Sequence, residues 1–247
     1  MPQTPDVDSI RRLLARATRQ ILALTQPVFD QLTQLERSVG SFDVDVWAGT
    51  PRPLAAWPQL ELSVAHALEA VDLMTGAGFA VASASDGGAR RSAMAWWIRH
   101  DGIVREKQHV LNPSSDSYYD FTQSRWFRLP TTAGQPVLMA PYVDSWGTDD
   151  VTMTASQAVR ADGETVAVVA ADLDVHFYVD KVEHILASAF ATALLDSEDR
   201  VIASTAPDIE SGTRLAAAGQ RDIVVRVAIE SLGWSVVALG DPPDVAD

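Results

Sequence analysis

The chain has 247 residues, 47% of them hydrophobic and 21% charged, which suits one large domain or two smaller ones around a buried core. Its 19 Lys and Arg stand against 33 Asp and Glu, a formal charge of -14 that repels phosphate backbones and excludes nucleic acid or an anionic membrane as a favourable direct partner. With no Cys, it has no disulfide framework, thiolate metal site or cysteine nucleophile.

The opening MPQTPDVDSIRR lacks the basic-then-apolar order of a secretory leader, so a cytoplasmic location is expected. From Ile10, apolar residues recur at Leu14, Ala17, Ile21, Leu24, Val28, Leu32, Leu35 and Val39, the spacing of a long amphipathic helix. Asp8 or Ser9 is placed to cap its start and Gly40 to stop it, and Pro27 predicts a bend where the spacing slips. A Pro- and Gly-containing loop over Phe42 to Trp57 then leads to a second helix through Leu60, Val64, Leu68 and Val71, ending by Gly76.

Beyond it the period shifts toward strands at Gly78 to Ser85, Ala93 to His100 and Ile103 to Val110, with Asp86-Gly87-Gly88 and Asp101-Gly102 as turns. The charge-free stretch Leu129 to Val143 carries Pro130, Pro136 and Pro141 and cannot be a membrane helix. A long hairpin is predicted from Thr152 to Val159 and Thr165 to Val175, with VAVVAADLDV as a central strand. A helix from about His176 to Ala187 follows, then strands within Ala193 to Ser204, a final hairpin of Ile223 to Ile229 and Trp234 to Leu239, and the polar tail GDPPDVAD.

This layout, and a series of motifs within it, resembles the Cache sensor fold, an extracytoplasmic-type PAS relative. The motifs are Tyr119-Asp120-Phe121, Trp126-Phe127, Pro141-Tyr142-Val143-Asp144, Thr152 to Thr154, Gly163, and Ala170-Ala171-Asp172-Leu173. Leu232-Gly233-Trp234-Ser235-Val236 is similar to the last strand of double Cache domains. The resemblance implies an α+β fold with a long N-terminal helix and two PAS-like antiparallel-sheet modules, the second smaller. Its expected boundaries are 1–77 for the helices and their loop, 78–187 for a first, ligand-binding module, and 188–247 for the second module and tail. The wording of the motifs is closest to soluble Cache proteins linked to GntR-type helix-turn-helix regulators, which makes such a regulator an expected partner.

In Cache domains that recognise amino acids, a Tyr, an Arg, a Trp-Tyr pair, a later Tyr and a final Asp clamp carboxylate and ammonium. Tyr119, Trp126, Tyr142 and Asp172 fall at matching places here, but Ser124 stands at the Arg position and Phe127 at the second aromatic. Arg125 is adjacent, but neighbouring side chains diverge on a regular backbone. The remaining set of Trp126, Tyr142, Asp144 and Asp172 suits a cationic amine, which an aromatic face and a carboxylate both attract. Core packing is the competing account of the aromatics. For Asp172, placed directly after VAVVAA, the competing account is a backbone amide or Arg partner.

Asp172, Asp174 and His176 alternate and on an extended strand would share a face, but no spaced His motif supports a metal. His66, His100, His109 and His184 read as ordinary surface or core residues, and packing is the default for Trp96 and Trp97, of which at most one can face a pocket. GxSxG, GxxxxGK[ST] and GxGxxG are absent. The sequence therefore predicts a non-enzymatic sensor without a cofactor, binding a cationic or zwitterionic metabolite such as an amine, betaine or amino acid. Loops Tyr119–Phe127 and Tyr142–Asp150 would close over that ligand. The alternative is a protein-interaction module with a vestigial pocket. The near-heptad stripe of the first helix predicts a homodimer seam, as in related sensors, against the competing account that it packs within its own chain.

Overall fold

The computed structural model describes residues 6–40, 57–83, 91–144, 151–215 and 221–241. The chain forms two compact units, one built from residues 1–26 and 176–247, the other from Pro27 to Val175. The Asp86-Gly87-Gly88 turn, the 42–56 part of the expected loop, residues 145–150 of the second closing loop and the last six residues of the tail lie outside the described residues.

Helix α1 runs from Val7 to Gly40, unbroken through Pro27. Its start is capped by Asp6, not by Asp8 or Ser9: the Asp6 carboxylate accepts the Ser9 amide at 2.9 Å and the Ser9 hydroxyl at 2.8 Å. The stripe read as a dimer seam is covered by its own chain. Ile10, Leu14, Ala17, Ile21, Val28, Leu32, Leu35 and Val39 are all buried, and Leu24 is half-buried. Periodicity marks a face to be covered, and here intrachain packing covers it. The double variant Leu14→Glu/Ile21→Glu is therefore expected to give unfolded or aggregated protein, since each change places a carboxylate in an apolar core. Circular dichroism with light scattering checks this; a folded monomer would restore the dimer seam.

In the larger unit, α2 (Trp57–Ala70) packs on β1 (Met74–Ser83) and β2 (Arg91–His100). The other strands of its sheet are β3 (Ile103–Lys107), β4 (Val137–Leu138), β5 (Tyr142–Val143), β6 (Val151–Ala161) and β7 (Glu164–Asp174). They lie in the order β3-β2-β1-β7-β6-β4, with β5 also on β6, and every pairing is antiparallel. VAVVAADLDV is thus central, as its apolar run predicts. Asp101-Gly102 and Asp162-Gly163 make the tight turns, all four residues at positive φ.

Strand β1 begins four residues before the Gly78 start expected from sequence. Two glycines weaken the local strand signal, but pairing of Gly76 with Asp172 and Ile98 extends the ladder. Helix α3 (Arg125–Ala133) takes up residues 125–127, the end of the expected closing loop Tyr119–Phe127, and runs on beyond it. Pro130 obscures it in sequence, and Gly134 ends it at φ 68 with its amide on the Pro130 carbonyl.

In the other unit, α4 (Val175–Leu186) precedes β8 (Thr192–Leu195), β9 (Val201–Ser204), β10 (Ile223–Ile229) and β11 (Trp234–Leu239). These strands form an antiparallel sheet ordered β10-β11-β8-β9. Tyr178 of α4 packs edge-on against Trp234, with 6.4 Å between ring centroids.

Candidate functional site

The two faces of the larger sheet differ because side chains alternate along each strand. Ala77, Phe79, Val81 and Trp97 lie on one face and are buried. On the other face, two adjacent ladder rows build a cleft. One row carries Lys107, Trp96, Gly78 and Ala170. The next carries Ile98, Gly76, Asp172 and Thr154.

The glycines let the Trp96 indole lie flat across β1. A Cβ on Gly78 would fall 2.8 Å from the Trp96 ring, and one on Gly76 would fall 2.9 Å from its Nε1 and 3.5 Å from Asp172 Oδ2. The indole N–H donates to Asp172 across that gap.

Asp172 is only 7% exposed. Thr154 Oγ1 donates to its Oδ1 at 2.8 Å, and the Tyr142 hydroxyl, 2.8 Å from Thr154 Oγ1, donates in turn to that oxygen. Burial pushes the Asp172 carboxyl up to about 7, the neighbouring Asp144 adds to the rise, and Thr154, Lys107 and Trp96 oppose it. The same burial, with Asp172 and Asp144 nearby, raises the Tyr142 phenol far above its ordinary value. Tyr142→Phe removes the outer member of this chain and is expected to weaken ligand binding about 5-fold, the worth of one hydrogen bond. Calorimetry checks it, and unchanged affinity would make the phenol a spectator.

The opposite wall is aromatic. Asp120 fixes a short 3-10 turn, Phe121–Gln123, by accepting the Thr122 amide at 3.1 Å. That turn sets Trp126 in the first turn of α3, where its indole N–H donates to the Tyr119 hydroxyl at 3.0 Å. Trp96 and Trp126 pack together at 5.9 Å between centroids, their planes tilted by 50°. The resulting narrow cleft has about 270 Å³ of empty volume including its mouth, and is lined by Met94, Trp96, Lys107, His109, Tyr119, Trp126, Tyr142, Asp144 and Asp172. The enclosed part of that space is about 10 Å³, room for about one water, so a metabolite enters only if the walls part.

Of the residues singled out in the sequence, Tyr119, Trp126, Tyr142, Asp144 and Asp172 meet around this space. Ser124 and Phe127 stand behind it. The Ser124 hydroxyl lies 3.4 Å from that of Tyr119, and Phe127 packs edge-on against Phe121 and Trp126. Arg125 points to solvent.

The default reading of Trp96 as packing alone is corrected, because it forms a wall of the cleft and bonds Asp172. His109 is corrected too. It lines the cleft beside Tyr119, 5.4 Å between centroids, and burial with help from Lys107 lowers it to about 4, so the imidazole is neutral at pH 7. The bland account of Asp172 also changes, since its partners are a hydroxyl and an indole. The shared metal-binding face fails because His176 lies in α4, where strand alternation does not apply.

Met94, Lys107 and His109 went unnoticed as wall residues. The signal available was Gly76-Ala77-Gly78, which clears one face of a strand for a bulky partner.

Residues 61–180 match the family model described as methyl-accepting chemotaxis protein-like, first PDC sensor domain. Among solved structures, the ligand-binding domain of the Pseudomonas aeruginosa PAO1 amino acid chemoreceptor PctC, in complex with GABA, superposes with a TM-score of 0.61 at 15% identity, covering 95% of this chain and 99% of that one. The fold is Cache-like. The ligand-binding domain of the Pseudomonas fluorescens chemoreceptor CtaA, in complex with L-serine, matches with a TM-score of 0.56 at 13% identity over 95% of this chain and 96% of that one. For the Campylobacter jejuni chemoreceptor Tlp3, in complex with L-valine, the values are 0.52, 12%, 96% and 98%. No curated protein sequence matches the chain. The matched residues include all five cleft-lining positions singled out in the sequence, so the Cache-like larger unit is the part that carries the candidate site. Among the described residues no helix is long and apolar enough to cross a membrane.

Proposed function

We propose that the cleft of the larger unit binds a small metabolite bearing a cationic amino group, and that the chain is a non-enzymatic sensor whose output is a ligand-driven shift between conformations. The observation that carries this reading is Asp172, a carboxylate buried on the central strand at the foot of an aromatic cleft. Leaving a carboxylate there is costly, and an entering ammonium relieves that cost while the faces of Trp96 and Trp126 attract it. Tyr119, Tyr142 and Asp144 complete the polar contacts, and the ligands named for the chemoreceptor domains of similar fold, GABA, L-serine and L-valine, all carry an amino group. The resemblance to soluble Cache proteins makes a GntR-type helix-turn-helix regulator the expected reader of the shift.

A thermal-shift screen of amines, betaines, amino acids and small carboxylates, on protein freed of copurified ligand, tests the reading. Ammonium-bearing compounds are expected to raise Tm by about 5–10 °C at about 100 times Kd, and carboxylates without an amine are not. No shift with any class would overturn it in favour of an interaction module. The expected cytoplasmic location stands against two neighbours of similar fold that are described as extracellular domains. Protease accessibility in intact cells separates the two locations.

A further inference from the structure

We propose that the smaller unit carries a second binding site, a groove between α1 and α4 that takes an apolar chain ending in a carboxylate, such as a fatty acid. The site is separate from the cleft of the larger sheet and does not depend on what that cleft binds.

Helical geometry makes the groove. On α1, Leu14, Ala17 and Ile21 are buried, and Leu13, Arg16, Gln20 and Leu24, at steps of three and four residues, form the flank beside that stripe. On α4 the buried stripe is Tyr178, Val182 and Leu186, and its flank is Lys181, His184 and Ile185. Between the two flanks lies a cavity of about 760 Å³, with Phe190 and Thr192 completing its wall. That falls within the range of small-molecule sites, about 300–1,000 Å³. From Leu13 to Leu24 the α1 wall is about 16 Å long. Every lining residue belongs to the unit built from residues 1–26 and 176–247.

The charge of the groove runs against that of the chain. The whole carries a formal charge of -14, yet no Asp or Glu lines this space, whereas Arg16, Lys181 and His184 do. The stretch from Ser9 to Phe29 holds four Arg and no acidic residue. His184 is engaged by its own helix, with Nδ1 2.7 Å from the Asp180 carbonyl oxygen and 3.6 Å from the Asp180 carboxylate. Arg16 and Lys181 differ, since among the described residues neither pairs with a carboxylate, and the Lys181 ammonium lies over the Phe177 ring at 5.0 Å from its centroid. Leu13 is 47% exposed, and Leu24, Ile185 and Phe190 are half-buried. An acyl chain takes this apolar surface out of water while its carboxylate meets a cation at the rim. Acetate offers the charge without the chain. An anionic bilayer would set a whole charged surface against the net charge of the protein, whereas a single carboxylate meets only the local cations.

Calorimetric titration of the full wild-type chain with laurate, below its micelle concentration, tests the site. Binding is expected, weakening by up to about 4-fold for each methylene removed through decanoate and octanoate, with none for acetate. Arg16→Glu/Lys181→Glu should bind laurate about 10-fold or more weakly. Both positions are exposed, so the fold should survive, and circular dichroism checks it. Arg16→Lys/Lys181→Arg should retain binding, and Asp172→Asn should bind laurate as wild type does. No laurate bound by folded wild type, an affinity indifferent to chain length, or one undiminished by the double reversal overturns the proposal. Loss of binding in Asp172→Asn would move laurate to the cleft and overturn it as well. A wild-type dimer that the double reversal dissociates, with no laurate bound, would assign the groove to a second copy. Binding to phosphatidylglycerol vesicles but not to monomeric laurate would assign it to a membrane, and either result overturns the proposal.

Discussion

Asp172→Asn is expected to bind an ammonium ligand about 10- to 150-fold more weakly than wild type and yet to melt at a higher temperature at pH 8. The two effects have one cause. Asn keeps the size of the side chain and a partner for the Thr154 hydroxyl, but removes the charge that the ligand would meet. In the unliganded protein that charge is a burden: the carboxyl, ordinarily near 3.8, rises to about 7 because it is out of water and beside Asp144. Between those two values the folded chain holds a proton that the unfolded chain releases. The contribution of this group is therefore fully present below about pH 4, is lost as pH rises through 7, and stays lost above it.

Asn does not titrate, so the variant lacks that decline, and its advantage appears only toward neutral and alkaline pH. Ligand binding follows the same proton. Below pH 7 an ammonium must displace it, so wild-type affinity should climb from pH 5 to 7 and level off, with up to about one proton released per ligand. Calorimetry in buffers of different ionisation enthalpy measures that release. Equal affinity for wild type and Asn, or no difference in their pH profiles of melting, would return Asp172 to a structural role.

Gly78→Ala is expected to cost about 3 kcal/mol or more, a fall in Tm of about 6–12 °C, although it adds a single methyl group. The added Cβ would lie 2.1 Å from the Ala95 carbonyl oxygen and 2.9 Å from the Trp96 Cα, both backbone atoms of the neighbouring strand. Neither can rotate away, so β1 and β2 must part. Gly76→Ala, two residues along the same face, should behave differently. Its Cβ meets the Trp96 indole nitrogen at 2.9 Å and the Asp172 carboxylate at 3.5 Å, side-chain atoms that can shift, and the backbone oxygen of Trp97 only at 3.4 Å, an ordinary contact. The fold should survive while the indole loses its bond to Asp172 and ligand affinity falls. Thermal melts and calorimetry on both variants check the contrast; a Gly78→Ala protein as stable as wild type would refute the indole bed.

The elements of this fold were largely legible because each rests on a local pattern: a helical apolar stripe in α1, alternation bounded by Asp-Gly turns in β2 and β3, and an apolar run in β7. Asp172 stood out for the same kind of reason, a carboxylate at the end of a run that had to be buried. Periodicity says that a face needs covering but not by what, so the α1 stripe suggested a second chain where its own chain covers it.

The composition of the cleft was hidden for a different reason. Trp96 and Lys107 reach Asp172 only because β1 pairs with β2 on one edge and β7 on the other, joining residues about seventy positions apart through ladder contacts that no local window contains. The sequence alone therefore determined which segments are strands and helices and which carboxylate must be accommodated, since backbone propensity and the cost of burying charge act locally. Which indole bonds that carboxylate, which cation shares its cleft, and how far burial raises its pKa were decided by tertiary pairing, because desolvation and electrostatics depend on the neighbours that the folded sheet brings together.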